Sequence, residues 1–180
     1  PFHVQGILYF PRVTHSFDWK KEHIRLFCNR VFVSDDCKDI LPEHLTLMRG
    51  IIDSPDIPLN VSRSHLQVDK TVRQLSSHIS KKVIDALRTL LKSDRERYEA
   101  AWEAIAPVLK LGILQEDKNL EQAKQLLLFP TVEGKKLLLD ELTGGEKKTL
   151  VYCDMGHEKS HLAKAFQEKG EPLLLITSPL

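Results

Sequence analysis

Cysteine is scarce in this sequence: Cys28, Cys37 and Cys153 are the whole supply. An odd number at wide spacing fits neither a disulfide framework nor a CxxC pair, and points to a reducing compartment, hence the cytosol. Glycine is low, at 8 residues, aromatics make up only 7%, and there is no low-complexity tract or internal period. These absences argue against a disordered chain and against a repeat array. An excess of one charge sign is missing too: 26 Lys and Arg face 25 Asp and Glu, for a net charge of +1. A nucleic-acid binder carries a concentrated basic excess, so nucleic acid is not expected among the partners. No run approaches the ~20 apolar residues that cross a bilayer, and no charged-then-apolar leader opens the chain, so no membrane partner is expected.

What is present is a core-forming composition, 42% hydrophobic and 28% charged over 180 residues, enough for one large domain or two small ones. Residues 3–10 and 24–33 read as strands; the second alternates apolar and polar up to Val31. The first begins in mid-strand, so the chain is expected to be a piece of a longer polypeptide. Pro42 suits a first helical turn, with Leu45, Met48 and Ile52 spaced to face inward. Two prolines then force a stiff loop over Asp53-Ser54-Pro55-Asp56-Ile57-Pro58. A long helix follows over residues 62–92, with Val68, Val72, Leu75, Ile79, Val83, Leu87 and Leu90 as its apolar stripe. Its Lys70, Arg73, Lys81, Lys82, Arg88 and Lys92 form what is ordinarily a solvated face.

Ser93 with Glu96 makes a capping box that starts a second helix. Tyr98, Trp102, Ile105 and Leu109 are its stripe, and Gly112 its end. Another helix is expected over 119–129, stopped by Pro130. The last third reads as strand 149–153, helix 160–169 with Gly170 as its left-handed cap, and strand 172–177, which implies a right-handed parallel crossover. The expected fold class is α/β (α+β): two three-layer α-β-α subdomains, 1–92 and 130–180, joined by a helical connector, 93–129.

The junction Pro58-Leu59-Asn60-Val61-Ser62-Arg63-Ser64-His65-Leu66-Gln67 is the most informative stretch. Ser62 is a natural N-cap. Arg63 falls in the first turn, where the helix dipole makes a cation unfavourable by roughly 0.3–1 kcal/mol. An exposed arginine there is common enough. A proline-stiffened helix start would also hold a guanidinium at a fixed place, as an arginine finger for phosphoryl transfer requires.

The run Arg49-Gly50-Ile51-Ile52-Asp53-Ser54-Pro55-Asp56-Ile57-Pro58-Leu59-Asn60-Val61-Ser62-Arg63 closely resembles the middle domain of the heat-shock-protein-ninety chaperones, above all their bacterial members. Cys28-Asn29-Arg30-Val31-Phe32-Val33, Ile40-Leu41-Pro42-Glu43, Leu150-Val151-Tyr152 and Leu173-Leu174-Leu175 resemble it as well. The resemblance implies a stress-response chaperone that hydrolyses ATP with Mg2+ held on a preceding N-terminal domain. Arg63 matches the catalytic-loop arginine that reaches the terminal phosphate, and Gln67 the glutamine of the same loop; four residues apart, they share a helix face. Phe32 matches a position tied to arranging that loop, although a strand Phe is more commonly core. Unfolded client proteins are the implied partners, with a homodimer formed through a C-terminal domain and this chain alone a monomer that neither binds ATP tightly nor hydrolyses it. The sequence departs from the family pattern in starting after the first middle-domain strands and in a short stretch over 129–149. Related gyrase and mismatch-repair ATPases set a lysine at this place, by family analogy, so Ser62-Arg63 favours the chaperone over their transducer domains.

One motif points elsewhere. His157-Glu158-Lys159-Ser160-His161 satisfies H-E-x-x-H, which on one helix gives two imidazoles and a general base for a zinc hydrolase. Here Ser160 reads as an N-cap, which leaves His157 and Glu158 before the helix, so a surface turn is expected. Leu142-Thr143-Gly144-Gly145-Glu146-Lys147-Lys148-Thr149 fails the P-loop spacing and reads as a turn.

Overall fold

The computed structural model describes residues 3–11, 24–35, 41–57, 70–115, 121–144, 149–158 and 160–176. Helices and sheets are mixed along the chain, as expected for an α/β fold, and it divides into two compact units, Pro1–Gln122 and Ala123–Leu180.

In the first unit, β1 (Gln5–Tyr9), β2 (Ile24–Cys28), β3 (Val31–Ser34) and β4 (Arg49–Asp53) form one sheet in the order β1-β4-β2-β3. β1 runs antiparallel to β4, β4 parallel to β2, and β2 antiparallel to β3. The expected single strand over 24–33 is therefore a hairpin. Its tip, Asn29-Arg30, has φ of 50° and 65° at the two residues, the double left-handed geometry of a two-residue turn that matches strand twist. Asn tolerates this conformation through its short polar side chain; the alternation hid it. Gly50 has a φ of 144°, and a Cβ there would meet the backbone oxygen of Ile7 on β1, so only glycine allows this approach of the two strands.

Ile24, Leu26 and Cys28 are buried and Arg25 is exposed, the alternation of a half-buried strand. Against that face lies α1 (Lys70–Ser93), whose Val72, Leu75, Ile79 and Leu87 are buried as its spacing predicts. Val72, Leu75 and Ile79 share one core cluster with Ile24, Leu26, Leu45, Met48, Ile52 and Ile57. Each side chain so buried contributes roughly 1.5–3 kcal/mol. Lys70, Arg73, Lys81, Lys82 and Lys92 are exposed, the solvated face expected, and Arg88 pairs with Asp85 at 3.2 Å.

Pro42 precedes a short 3-10 helix, Glu43–Leu47, rather than a longer one. Leu45, Met48 and Ile52 are buried as expected, but Ile52 sits on β4; Gly50 and the β-branched Ile51-Ile52 favour strand over helix. The next cap also shifts. α1 runs through Ser93, and Asp94 caps α2 (Arg95–Ala100), its carboxylate accepting from the Arg97 N–H at 3.0 Å. Tyr98, Trp102, Ile105 and Leu109 are all buried along α2 and α3 (Trp102–Leu114), which continues two residues past Gly112. Both helices lie in the first unit, and Val108 joins the core beneath the sheet.

The expected helix over 119–129 gives way, among its described residues, to a 3-10 helix, Glu121–Leu126, within which the second unit begins, and to β5 (Leu128–Pro130), paired antiparallel with β6 (Lys136–Leu138). Pro130 is compatible with a strand end. α4 (Leu139–Thr143) follows. β7 (Val151–Asp154) and β8 (Leu173–Ile176) are parallel, with α5 (His161–Glu168) as the crossover, as the strand-helix-strand pattern predicts. Gly170 has the left-handed φ of 70° expected of the helix cap.

Candidate functional site

The segment between β4 and α1 carries Arg63 and Gln67, which, with the Ser62 cap, lie outside the described residues. Its flanks define how it is held. Ser54 is fully buried, its N–H donates to the Phe27 carbonyl on β2 at 3.1 Å, and its hydroxyl accepts from the Asp56 N–H at 3.3 Å. Asp56 in turn accepts from the His3 N–H at 2.7 Å. Ile57 is buried in the core cluster. The segment thus leaves the sheet with its first residues pinned to β2, to the residue preceding β1 by two positions, and to the core. On the far side, α1 is packed from Val72 onward.

Asp53, the last residue of β4, stands in the quoted run, but the sequence assigns it no role of its own. Its Oδ2 accepts from the backbone N–H of Arg30, 23 residues away, at 3.0 Å. The turn itself leaves that N–H without a partner, because a β-turn closes only through its fourth residue. The second carboxylate oxygen, Oδ1, is shielded from solvent and has no hydrogen-bond partner among the described residues. His3, Gln5, Asn29, Arg30, Asp53 and Pro55 line a cavity of about 330 Å³ at this junction. No sequence signal exposes a carboxylate whose partner is a distant main-chain amide.

Phe32 is 53% exposed, so it is not the core residue that a strand Phe usually is. Its ring meets Phe27 edge to face, with centroids 5.7 Å apart and planes at 74°. Phe27 also supplies the carbonyl that holds Ser54. Asp53, Ser54, Phe27, Arg30 and Phe32 therefore form one connected group where the hairpin meets the start of the segment.

The H-E-x-x-H stretch has the local geometry expected of a turn. The Gly156 N–H donates to Glu158 Oε2 at 2.8 Å and the Ser160 N–H to the His157 carbonyl at 3.0 Å. Ser160 caps α5, accepting from the Ala163 N–H at 3.2 Å, and His161 is the first helical residue. The two histidines do not share a helix, and among the described residues no group of three His, Cys, Asp or Glu is placed to hold a metal ion. Next to this turn, burial pushes the Cys153 thiol up from its ordinary range, helped by the charges of Glu158 and Asp154. Burial lowers the Lys110 ammonium and raises the Tyr98 phenol. None of these groups flanks the β4–α1 segment in sequence. Among the described residues no helix is long and apolar enough to cross a membrane.

Comparison with known proteins supplies the context for this arrangement. A family model described as Hsp90 protein matches residues 2–164. The chain is 39% identical over 190 residues to the chaperone protein HtpG of Porphyromonas gingivalis, covering 100% of this chain and 28% of that protein. It is 39% identical over 189 residues to HtpG of Bacteroides fragilis, with the same coverage. HtpG of Bacillus subtilis is 33% identical over 187 residues, covering 97% of this chain and 30% of the relative. The chain thus spans less than a third of the length of these relatives. On the extent of these matches, the chain belongs to the Hsp90 family.

Proposed function

We propose that this chain is the middle segment of an ATP-driven chaperone and that Arg63 serves a nucleotide site held on another domain of the same protein. The reading rests on one observation above all: the Pro58-Leu59-Asn60-Val61-Ser62-Arg63 string occurs in the segment between β4 and α1, in a chain of the Hsp90 family. ATP, with Mg2+, is the substrate. As water attacks the terminal phosphoryl group and its bond to the bridging oxygen breaks, negative charge spreads over oxygens that a guanidinium is suited to neutralise. Gln67, four residues on, serves the same loop. The complete protein acts on unfolded or partly folded client proteins in the cytoplasm, as a dimer formed through parts outside this chain.

The test is Arg63→Ala in the full-length protein. Turnover of ATP falls by about a thousandfold, the scale of other phosphoryl-transfer arginines, while ATP affinity stays within about twofold because the nucleotide is held elsewhere. Undiminished turnover refutes the assignment.

A further inference from the structure

We infer that Asp53 is a positioning residue for the reaction, latching the tip of the β2–β3 hairpin to the start of the segment that carries Arg63. The inference rests on the reading of Arg63 given above and deepens it. The latch is short and specific. Arg30 sits at a two-residue turn with left-handed backbone at both residues, and its N–H cannot be satisfied within that turn. Asp53 Oδ2 satisfies it at 3.0 Å, as a charge-assisted bond. The next residue repeats the connection one step along, the Ser54 N–H donating to the Phe27 carbonyl at 3.1 Å. Phe27 and Phe32, in edge-to-face contact, lie on the two strands of the same hairpin. A movement of the hairpin is therefore transmitted directly to residues 53 and 54.

The direction of the effect follows from the chemistry. Neither oxygen of Asp53 is needed to close the sheet, because β4 already pairs with β1 and β2 through its backbone. The carboxylate instead ties a side chain at the strand end to an amide on a different strand pair. Its loss releases the hairpin tip at Arg30 from the strand end that leads into the segment and leaves the ladder in place. A looser frame at the start of the segment lowers the rate of a reaction that depends on precise approach to the transferring group. Binding of ATP, which does not depend on the orientation of Arg63, is untouched.

The experiment uses the full-length protein with Asp53→Ala, Asp53→Asn and Arg63→Ala, singly and with Asp53→Ala combined with Arg63→Ala. Asp53→Ala lowers kcat by about tenfold, the effect of deleting one charge-assisted hydrogen bond that orients a catalytic group, with KM for ATP unchanged. Asp53→Asn keeps an oxygen for the Arg30 N–H as a weaker neutral acceptor, and lowers kcat about two- to threefold. In the Arg63→Ala background, Asp53→Ala has no further effect, because the group it positions is gone. A wild-type kcat for Asp53→Asn overturns the latch, as does a tenfold further loss in the double variant, and Asp53→Asn alone decides if Asp53→Ala does not fold. Should Arg63→Ala itself leave turnover intact, the reading beneath the latch fails and the latch with it. Slow Arg63→Ala with wild-type Asp53→Ala rejects the latch alone.

Discussion

Replacing Gly50 with alanine should be the most damaging single-methyl change in the first unit, and its size follows from two separable terms. The backbone there has a φ of 144°, a conformation that costs a non-glycine residue about 1–3 kcal/mol. The added Cβ would also lie against the Ile7 backbone, in collision with its carbonyl oxygen, 2.9 Å from its carbonyl carbon and 3.1 Å from the Leu8 Cα. These are main-chain atoms of the paired strand, so no rotamer change relieves the contact. β1 must move away from β4, weakening the ladder on either side of the Leu8–Gly50 pair, at roughly 1 kcal/mol for each hydrogen bond lost. The sum is about 3–4 kcal/mol, or ~10 °C in Tm for a chain of this size. Gly170→Ala is the control: its φ is 70° but nothing lies within 4 Å of the added atom, so only strain of about 1 kcal/mol is expected. Thermal unfolding followed by circular dichroism measures both. Equal shifts for the two variants, or a loss below about 1 kcal/mol for Gly50→Ala, would refute the argument that the close approach of β1 requires glycine.

Two further outcomes are expected. Asp94→Ala should destabilise the first unit by about 1 kcal/mol in urea titration, because it removes the side chain that accepts from the Arg97 N–H. Ser93→Ala should cost markedly less, and the reverse ranking would move the cap back to Ser93. Cys153 in the folded chain should alkylate more slowly near pH 8.5 than in the unfolded chain, since burial and the Glu158 and Asp154 charges disfavour the thiolate. Glu158→Gln, which keeps an oxygen for the Gly156 N–H, should speed the reaction when the labelled Cys153 peptide is quantified. The sign for stability follows: a raised thiol pKa favours the folded state at lower pH, and that contribution is lost as pH rises through the folded value. No change of rate between folded and unfolded chain would contradict it.

Periodicity made much of the fold legible. The stripe of α1, the paired aromatics Tyr98 and Trp102, and the parallel β7–α5–β8 crossover all follow from spacing, because each buries one face against one partner. Local punctuation misled where two residues competed for one role. Ser93 and Asp94 are both good caps, and only the length of α1 decides between them. Asn29-Arg30 lacks the glycine that usually marks a two-residue turn, so the hairpin passed for one strand. Leu128-Phe129 has no helical or strand period of its own; its state is set by pairing with Leu137 and Leu138. The candidate site divides the same way. Arg63 and Gln67 are proposed from a motif alone and lie outside the described residues, whereas Asp53, inside the same motif, gains a role only from its partner, a backbone amide distant in sequence. Phe32 shows the limit of burial statistics: a strand aromatic at the exposed end of a hairpin belongs to the surface.

The central claim is that the β4–α1 segment reaches the terminal phosphate of a nucleotide held by another domain. Photolabelling of the full-length protein with an ATP analogue bearing an aryl azide on its terminal phosphate tests this most directly, with labelled peptides identified by mass spectrometry. The account predicts label within residues 58–69, competed away by ATP. Label confined to other parts of the protein, with none in that segment, would contradict it.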